Sequence, residues 1–169
     1  MATEKFNEEV TQEAEMVDQY LTFSIDEEFF GIDILRVREI KGWGSVREVP
    51  NTPDYLKGVI NLRGLMVPII DLRLRFGVGE VEYTPTTVII VVAIKVNDGE
   101  ILVGFVVDAV SDVMDIDDDH FRKVPKFGTK IDTRYMAGMA VIDERMIILL
   151  DIDQVLQDDE LQALEELDV

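Results

Sequence analysis

The chain has no cysteine, one histidine, five prolines and no apolar run longer than the seven residues from Val88 to Ile94. Without cysteine there is no disulfide frame, no thiolate nucleophile and no cysteine-based metal site. Seven apolar residues are far too few to span a bilayer, and the start Met-Ala-Thr-Glu-Lys-Phe has neither the basic opening nor the apolar stretch of a leader. A cytoplasmic protein is expected. The single imidazole, His120, stands among Asp115, Asp117, Asp118 and Asp119, where a solvated side chain is expected. No glycine-rich phosphate loop and no Gly-x-Ser-x-Gly elbow are present. Basic residues are also scarce: 16 Lys and Arg face 35 Asp and Glu, for a net charge of −19. The acids crowd the ends, with six in residues 1 to 19 and seven in 153 to 169. Such a field repels phosphate backbones and anionic headgroups, so neither nucleic acid nor direct membrane insertion is expected.

What the chain does have is a repeated frame. Tyr55, Gly58, Met66 and Asp71 recur as Tyr135, Gly138, Met146 and Asp151, each at an offset of 80. Upstream, Gly31 to Val37 echoes Gly104 to Val110, and Val49-Pro50 echoes Val124-Pro125. Ahead of these, strand-like Tyr20 to Ile25 echoes Val88 to Ile94. The order of all segments is preserved, which points to a duplicated unit of about 65 residues, too small to hold a good core alone, so the two copies should lean on each other.

From Tyr20 onward, short runs of Val, Ile, Leu, Phe and Thr are broken by Asp26-Glu27-Glu28, Gly42-Trp43-Gly44, Asn97-Asp98-Gly99 and Asp143-Glu144, a texture of strands and turns. About five short strands per copy, with no long helix to serve as a crossover, predict a mainly β protein of two small closed barrels related by a pseudo-two-fold. The expected organisation is an acidic tail at 1–19, first barrel at 20–83, second at 84–152 and a C-terminal helix at 153–169. Thr52-Pro53 before Gly58, and Asp132 before Gly138, predict one short helical turn in each copy. Val155, Leu156, Leu161, Leu164 and Leu167 carry helical spacing, with Asp153 and Asp158 as candidate caps. The tail reads either as a helix along Phe6, Val10, Ala14 and Val17 or as disordered chain.

Chemical candidates are few. Asp71 and Asp151 could meet at a two-fold as a proteolytic dyad, but neither begins the Asp-Thr/Ser-Gly turn such a dyad uses. They read as strand-end residues satisfying backbone groups or a neighbouring Arg. Asp115, Asp117 and Asp119 match the first ligands of a calcium loop, which then fails at His120, where Gly is needed, and at Lys126, where a bidentate Glu belongs. No cofactor and no catalytic residue follow from the pattern. Arg63 differs in kind, being the only charge between Gly58 and Ile70, in a turn made by Asn61 and Gly64. It either pairs internally, with Glu39 or Asp71, or stands exposed as a planar donor for a partner surface.

Together, Gly31-Ile-Asp-Ile-Leu-Arg-Val37-Arg-Glu39-Ile, Asn51-Thr-Pro53, Gly58-Val-Ile-Asn61-Leu-Arg63-Gly64, Val67-Pro68-Ile-Ile-Asp71-Leu-Arg73 and Gly104-Phe-Val-Val-Asp108 closely resemble the CheW family of bacterial chemotaxis coupling proteins, from about Tyr20 to Leu156. The resemblance implies two SH3-like five-stranded barrels and a non-enzymatic adaptor. It would join the cytoplasmic tips of methyl-accepting chemoreceptors to the regulatory domain of the histidine kinase CheA. It also implies receptor contacts at Val37, Glu39, Gly58, Asn61, Arg63 and Val88, and kinase contacts at Val46, Lys57, Arg122 and Phe127. A stand-alone copy of the kinase's regulatory module in another sensory pathway is the alternative.

Overall fold

In a computed structural model of the protein, residues 17–97, 99–124 and 131–166 are described. The first half runs β1 (Val17–Ile25), β2 (Glu28–Asp33), β3 (Val37–Gly42), β4 (Leu56–Leu62), β5 (Leu65–Asp71) and helix α1 (Leu72–Phe76). The second runs β6 (Val88–Val96), β7 (Gly99–Val107), β8 (Ala109–Asp117), the two-residue β9 (Phe121–Arg122), β10 (Met136–Ile142), β11 (Arg145–Leu150) and helix α2 (Asp158–Glu165). Two curled sheets result, in the orders β8-β1-β2-β11-β10-β9 and β3-β6-β7-β5-β4. The mainly β, twinned architecture is therefore as expected, with one sheet carrying a sixth, very short strand.

The halves are exchanged. The β1-β2 hairpin joins the sheet made by β8 to β11, and the equivalent β6-β7 hairpin joins the sheet made by β3 to β5. A boundary at 83/84 therefore separates the sequence copies but not the sheets. The exchange obeys the repeat: parallel pairing sets Ile69 opposite Gly104 on one side and Leu149 opposite Gly31 on the other. Both glycines sit where a neighbour comes close. A Cβ on Gly104 would lie 2.6 Å from Ile69 Cδ1, and one on Gly31 would lie 3.1 Å from Leu149 Cδ2. The repeat's other landmark also recurs, for Asp71 N–H donates to Tyr55 O at 2.8 Å and Asp151 N–H to Tyr135 O at 2.9 Å.

Packing explains why the strands are so apolar. In β6, Ile90, Val92 and Ile94 face a core shared by the two sheets, while Ile89 and Val91 face the interior of their own sheet. A strand covered on both faces reads as a continuous run instead of an alternating one. Among the described residues the shared core holds 24 buried ones, against seven and four in the sheet interiors, so neither sheet is built to stand alone.

Local expectations divide. The turns at Asp26-Glu27, Arg63-Gly64 and Asp143-Glu144 all have positive φ at both positions, the mirror-type geometry that suits the twist of a two-residue hairpin. Paired Val96 and Gly99 flank the corresponding turn between β6 and β7, where Asn97 also has positive φ and Asp98 lies outside the described residues. The predicted helical turn at Asp132 is a 3-10 turn over Thr133–Tyr135, with Asp132 accepting from Arg134 N–H. Its counterpart at Thr52 is not helical: Leu56 N–H bonds Pro53 O and the chain enters β4 at once, so Gly58 lies inside a strand and stops nothing. The C-terminal caps also differ, with Asp151 capping a 3-10 turn over Ile152–Gln154 and Gln157 capping α2. The tail reading falls on residues 1–16, outside the described ones, while Val17 to Gln19 already belong to β1.

Candidate functional site

Arg63 lies at the tip of the β4-β5 hairpin, with φ +52. Asn61 makes that tip, its Oδ1 accepting from Gly64 N–H at 2.8 Å. The guanidinium is 83% exposed, and Nη2 stands 3.8 Å from Glu39 Oε1. Of the two internal partners expected, Glu39 is thus a loose neighbour and Asp71 is not a partner. Glu39 lies in β3 just past a bulge, where pairing shifts from Val37 opposite Val92 to Glu39 opposite Val91. Strand β3 and the β4-β5 hairpin thus bring Glu39 to the Arg63 tip that Asn61 shapes, while Val37 packs against the shared core.

Gly58 and Val88 have other places. Gly58 sits against Arg47, whose backbone exchanges two 2.8 Å hydrogen bonds with Val59 and closes the five-stranded sheet on itself. Its role is closure. Val88 pairs with Gly42 at the far end of the β3-β6 ladder and packs against the shared core.

Sequence reasoning missed the apolar groups around the tip. Leu65 and Met66 begin β5 exposed, and Met66 is directly opposite Asn61. Leu35, on the 3-10 turn over Ile34–Arg36 that leads into Val37, is 78% exposed. Hairpin position could have found Leu65 and Met66, because strand ends at a tip extend past the sheet's cover. Leu35 has no such signal, since its apolar neighbours are buried or half-buried.

The implied kinase contacts fall on two sheets. Val46 packs partly against the interior of the five-stranded sheet, and Lys57 lies on β4, two residues before the Val59 that bridges Arg47. Arg122 is exposed on β9 at the edge of the six-stranded sheet, with Nη1 donating to Asp119 O and Phe121 O. Phe127 lies outside the described residues.

The remaining polar groups are structural. Asp71 is fully buried and accepts from Arg73 N, Nε and Nη2, while Arg73 Nη1 also donates to Glu82 O and Asp108 Oδ1. Burial, then the charge of Asp71, pushes the Tyr83 hydroxyl to about 12. Asp151 caps its own 3-10 turn through Asp153 N–H. Each carboxylate of the proposed dyad is thus engaged by the turn that follows it. In the acidic loop, Asp115 accepts from Gln19 and Asp117 meets His120 Nδ1 at 2.6 Å. The His120 bond holds the Asp117 carboxyl below its ordinary range. Among the described residues no group of three acids or histidines could hold a metal ion.

Helix α2 is tied down by charge. Glu160 binds Arg75 through both oxygens, at 2.8 and 2.9 Å, and also meets the Tyr55 hydroxyl. Just upstream, Asp153 accepts from Arg36 and from Lys95 N–H. Burial alone would raise both carboxyls. It is outweighed at Asp153 by the Arg36 and Lys95 bonds and at Glu160 by Tyr55, the Gln157 N–H and Arg75, so both lie below the ordinary carboxylate range. A carboxyl depressed on folding stabilises above the unfolded carboxylate range, and that contribution disappears as pH falls through the folded value. Acid titration followed by the methyl signals of Leu161 and Leu164 is therefore expected to show α2 releasing as pH falls below about 4. Glu160→Gln should weaken that pH dependence.

The fold and site define a class: a twinned β scaffold whose exposed groups suit recognition of another macromolecule. The CheW-like domain family matches residues 19–160. The chemotaxis protein CheW of Klebsiella aerogenes is 45% identical over 143 residues, covering 85% of this chain and 84% of that one. CheW of Bacillus subtilis is 31% identical over 155 residues, covering 91% and 96%. The crystal structure of the scaffolding protein TtCheW from Thermoanaerobacter tengcongensis superposes with a TM-score of 0.77 at 35% identity, covering 86% of this chain and 96% of that one. The chain belongs to the CheW-like family, the scaffold proteins of chemotaxis. Among the described residues no helix is long and apolar enough to cross a membrane.

Proposed function

We propose that the protein is a non-enzymatic adaptor that couples chemoreceptor cytoplasmic tips to the regulatory domain of the histidine kinase CheA, recruited from the cytoplasm to receptor arrays. The observation that carries this reading is the tip of the β4-β5 hairpin. There an exposed guanidinium stands beside a half-buried carboxylate and is edged by uncovered Leu65 and Met66. An apolar rim around a planar donor is what an amphipathic helix of a receptor hairpin would cover, and burial would supply the affinity at about 25 cal/mol per Å² before the costs of association. Val37, Glu39, Asn61 and Arg63 form the receptor face, supported by Gly58 and Val88. Val46 with Lys57 on one sheet and Arg122 on the other form two kinase faces, with Phe127 the further expected contact beyond the described residues, which lets two kinase modules flank one adaptor.

Arg63→Ala tests the receptor face. Among the described residues the side chain has no hydrogen-bond partner and it stands in solvent, so stability should change by less than about 0.5 kcal/mol. Calorimetric titration with a receptor-tip hairpin fragment should show binding weakened by about tenfold or more. Wild-type affinity in the variant would remove Arg63 from the interface.

A further inference from the structure

Helix α2 is held on the protein by few groups. It has eight residues, too few for a stable helix in isolation, and its last turn carries no basic residue to complement the helix dipole. Of its side chains only Leu161 is buried, and Leu164 packs partly against the shared core. The main tether is Glu160, whose two oxygens meet the two terminal nitrogens of Arg75. Arg75 is itself fixed by the body of the protein. Its Nε donates to Val155 O at 2.9 Å, and its guanidinium lies 4.9 Å from the Tyr55 ring and 5.8 Å from the Tyr135 ring, the matching landmarks of the repeat. Without Glu160 that cation would keep its frame and lack its carboxylate.

The fit beside the helix is loose. A groove of about 410 Å³ runs between α2 and the turn before β4, with Val49, Pro53 and Leu56 on one wall and Leu156, Ala163 and Leu164 on the other. None of the residues assigned above to receptor or kinase lines it. Helix α2 meets this apolar space with Ala163, its smallest side chain, so the groove is underfilled by its own occupant. We propose that α2 is a displaceable strap, and that the groove takes an amphipathic helix of a partner protein in its place. The chemistry of that helix follows from what it must replace. A carboxylate binds Arg75, a leucine one residue later takes the place of Leu161, and a bulky apolar side chain three residues after the carboxylate fills the space that Ala163 leaves. Departure of α2 also carries Asp158, Asp159 and Glu165 away, which removes the local charge that would repel the partner's carboxylate. The strap competes with the partner, so apparent affinity falls with the fraction of molecules in which the groove is open.

The probe is a fluorescent peptide spanning Gln157 to Glu166 with the change Ala163→Leu, titrated against the full chain and followed by anisotropy. In the protein, Glu160→Gln loosens the strap and leaves Arg75 and the groove intact, so this variant should bind the peptide about tenfold more tightly than wild type. Ala163→Leu in the protein fills the groove from within, at an exposed position that tolerates Leu, and should bind about tenfold more weakly than wild type. A peptide that also carries Glu160→Gln should lose about tenfold affinity toward the Glu160→Gln protein. Equal affinity for all three proteins, weaker binding by the Glu160→Gln variant, or no binding by any of them would overturn the strap. If the Glu160→Gln variant failed to fold, the comparison of Ala163→Leu with wild type would decide alone. Dimerisation of Glu160→Gln without peptide would give the groove to the α2 of a second copy and overturn the partner helix.

Discussion

Gly58→Ala is expected to cost about 3 kcal/mol or more of stability, read as a shift in the midpoint of urea unfolding. Gly58 has φ +143, and a Cβ there would lie 2.1 Å from the Arg47 carbonyl oxygen. That neighbour is backbone, fixed by the reciprocal hydrogen bonds with Val59, and cannot turn aside. Strain and clash therefore add. The equivalent Gly138 is a built-in control. Its Cβ would meet the Phe121 ring at 2.4 Å, but that ring is an exposed side chain that can swing away. Gly138→Ala should cost less than half as much. Equal losses would mean that closure through Arg47 and Val59 is not what holds the five-stranded sheet.

The second large effect is at Arg73. The guanidinium is 2% exposed and neutralises an Asp71 that is wholly buried. Removing one partner of a buried pair leaves an uncompensated charge, so Arg73→Met should cost about 3–5 kcal/mol. Arg73→Lys keeps the charge but loses the planar fork that serves Asp71, Asp108 and Glu82 O together, and should fall between Met and wild type. Urea unfolding of the two variants checks both values. A Met variant as stable as wild type would show that the cluster is replaceable by apolar packing.

Much of this architecture was legible in the residues. The 80-residue offset of Tyr55, Gly58, Met66 and Asp71 marks equivalent backbone positions in three dimensions, down to the matching Asp71-Tyr55 and Asp151-Tyr135 hydrogen bonds. The exchange of hairpins was not legible, for a physical reason. Both copies carry the same pattern, so β2 can pair as well with one copy's last strand as with the other's. Which pairing wins is decided by the shared core, in which Phe23, Phe30 and Phe76 stack in series, and not by any local propensity. At the candidate site, the turn at Arg63 followed from Asn61 and Gly64, while its exposure was one of two readings left open. That Glu39 Oε2 is buried with no hydrogen-bond partner among the described residues could not follow from sequence, because whether an atom is covered depends on groups distant in the chain. The segment before Gly58 was misread as a helical turn because the Pro53 signal for a helix start is also a signal for a turn.

The exchange bears on function. Each sheet contains strands of both sequence copies, so the receptor face proposed on β3, β4 and β5 and the second kinase face proposed on β9 are joined through one core and should keep a fixed spacing. A scaffold of this kind acts by holding partners in place. Sedimentation velocity of the protein mixed with a receptor-tip hairpin fragment and the kinase's regulatory domain measures this directly. The account predicts one faster species containing all three chains, saturable in each. Two binary complexes that displace each other, with no ternary species at any ratio, would contradict it.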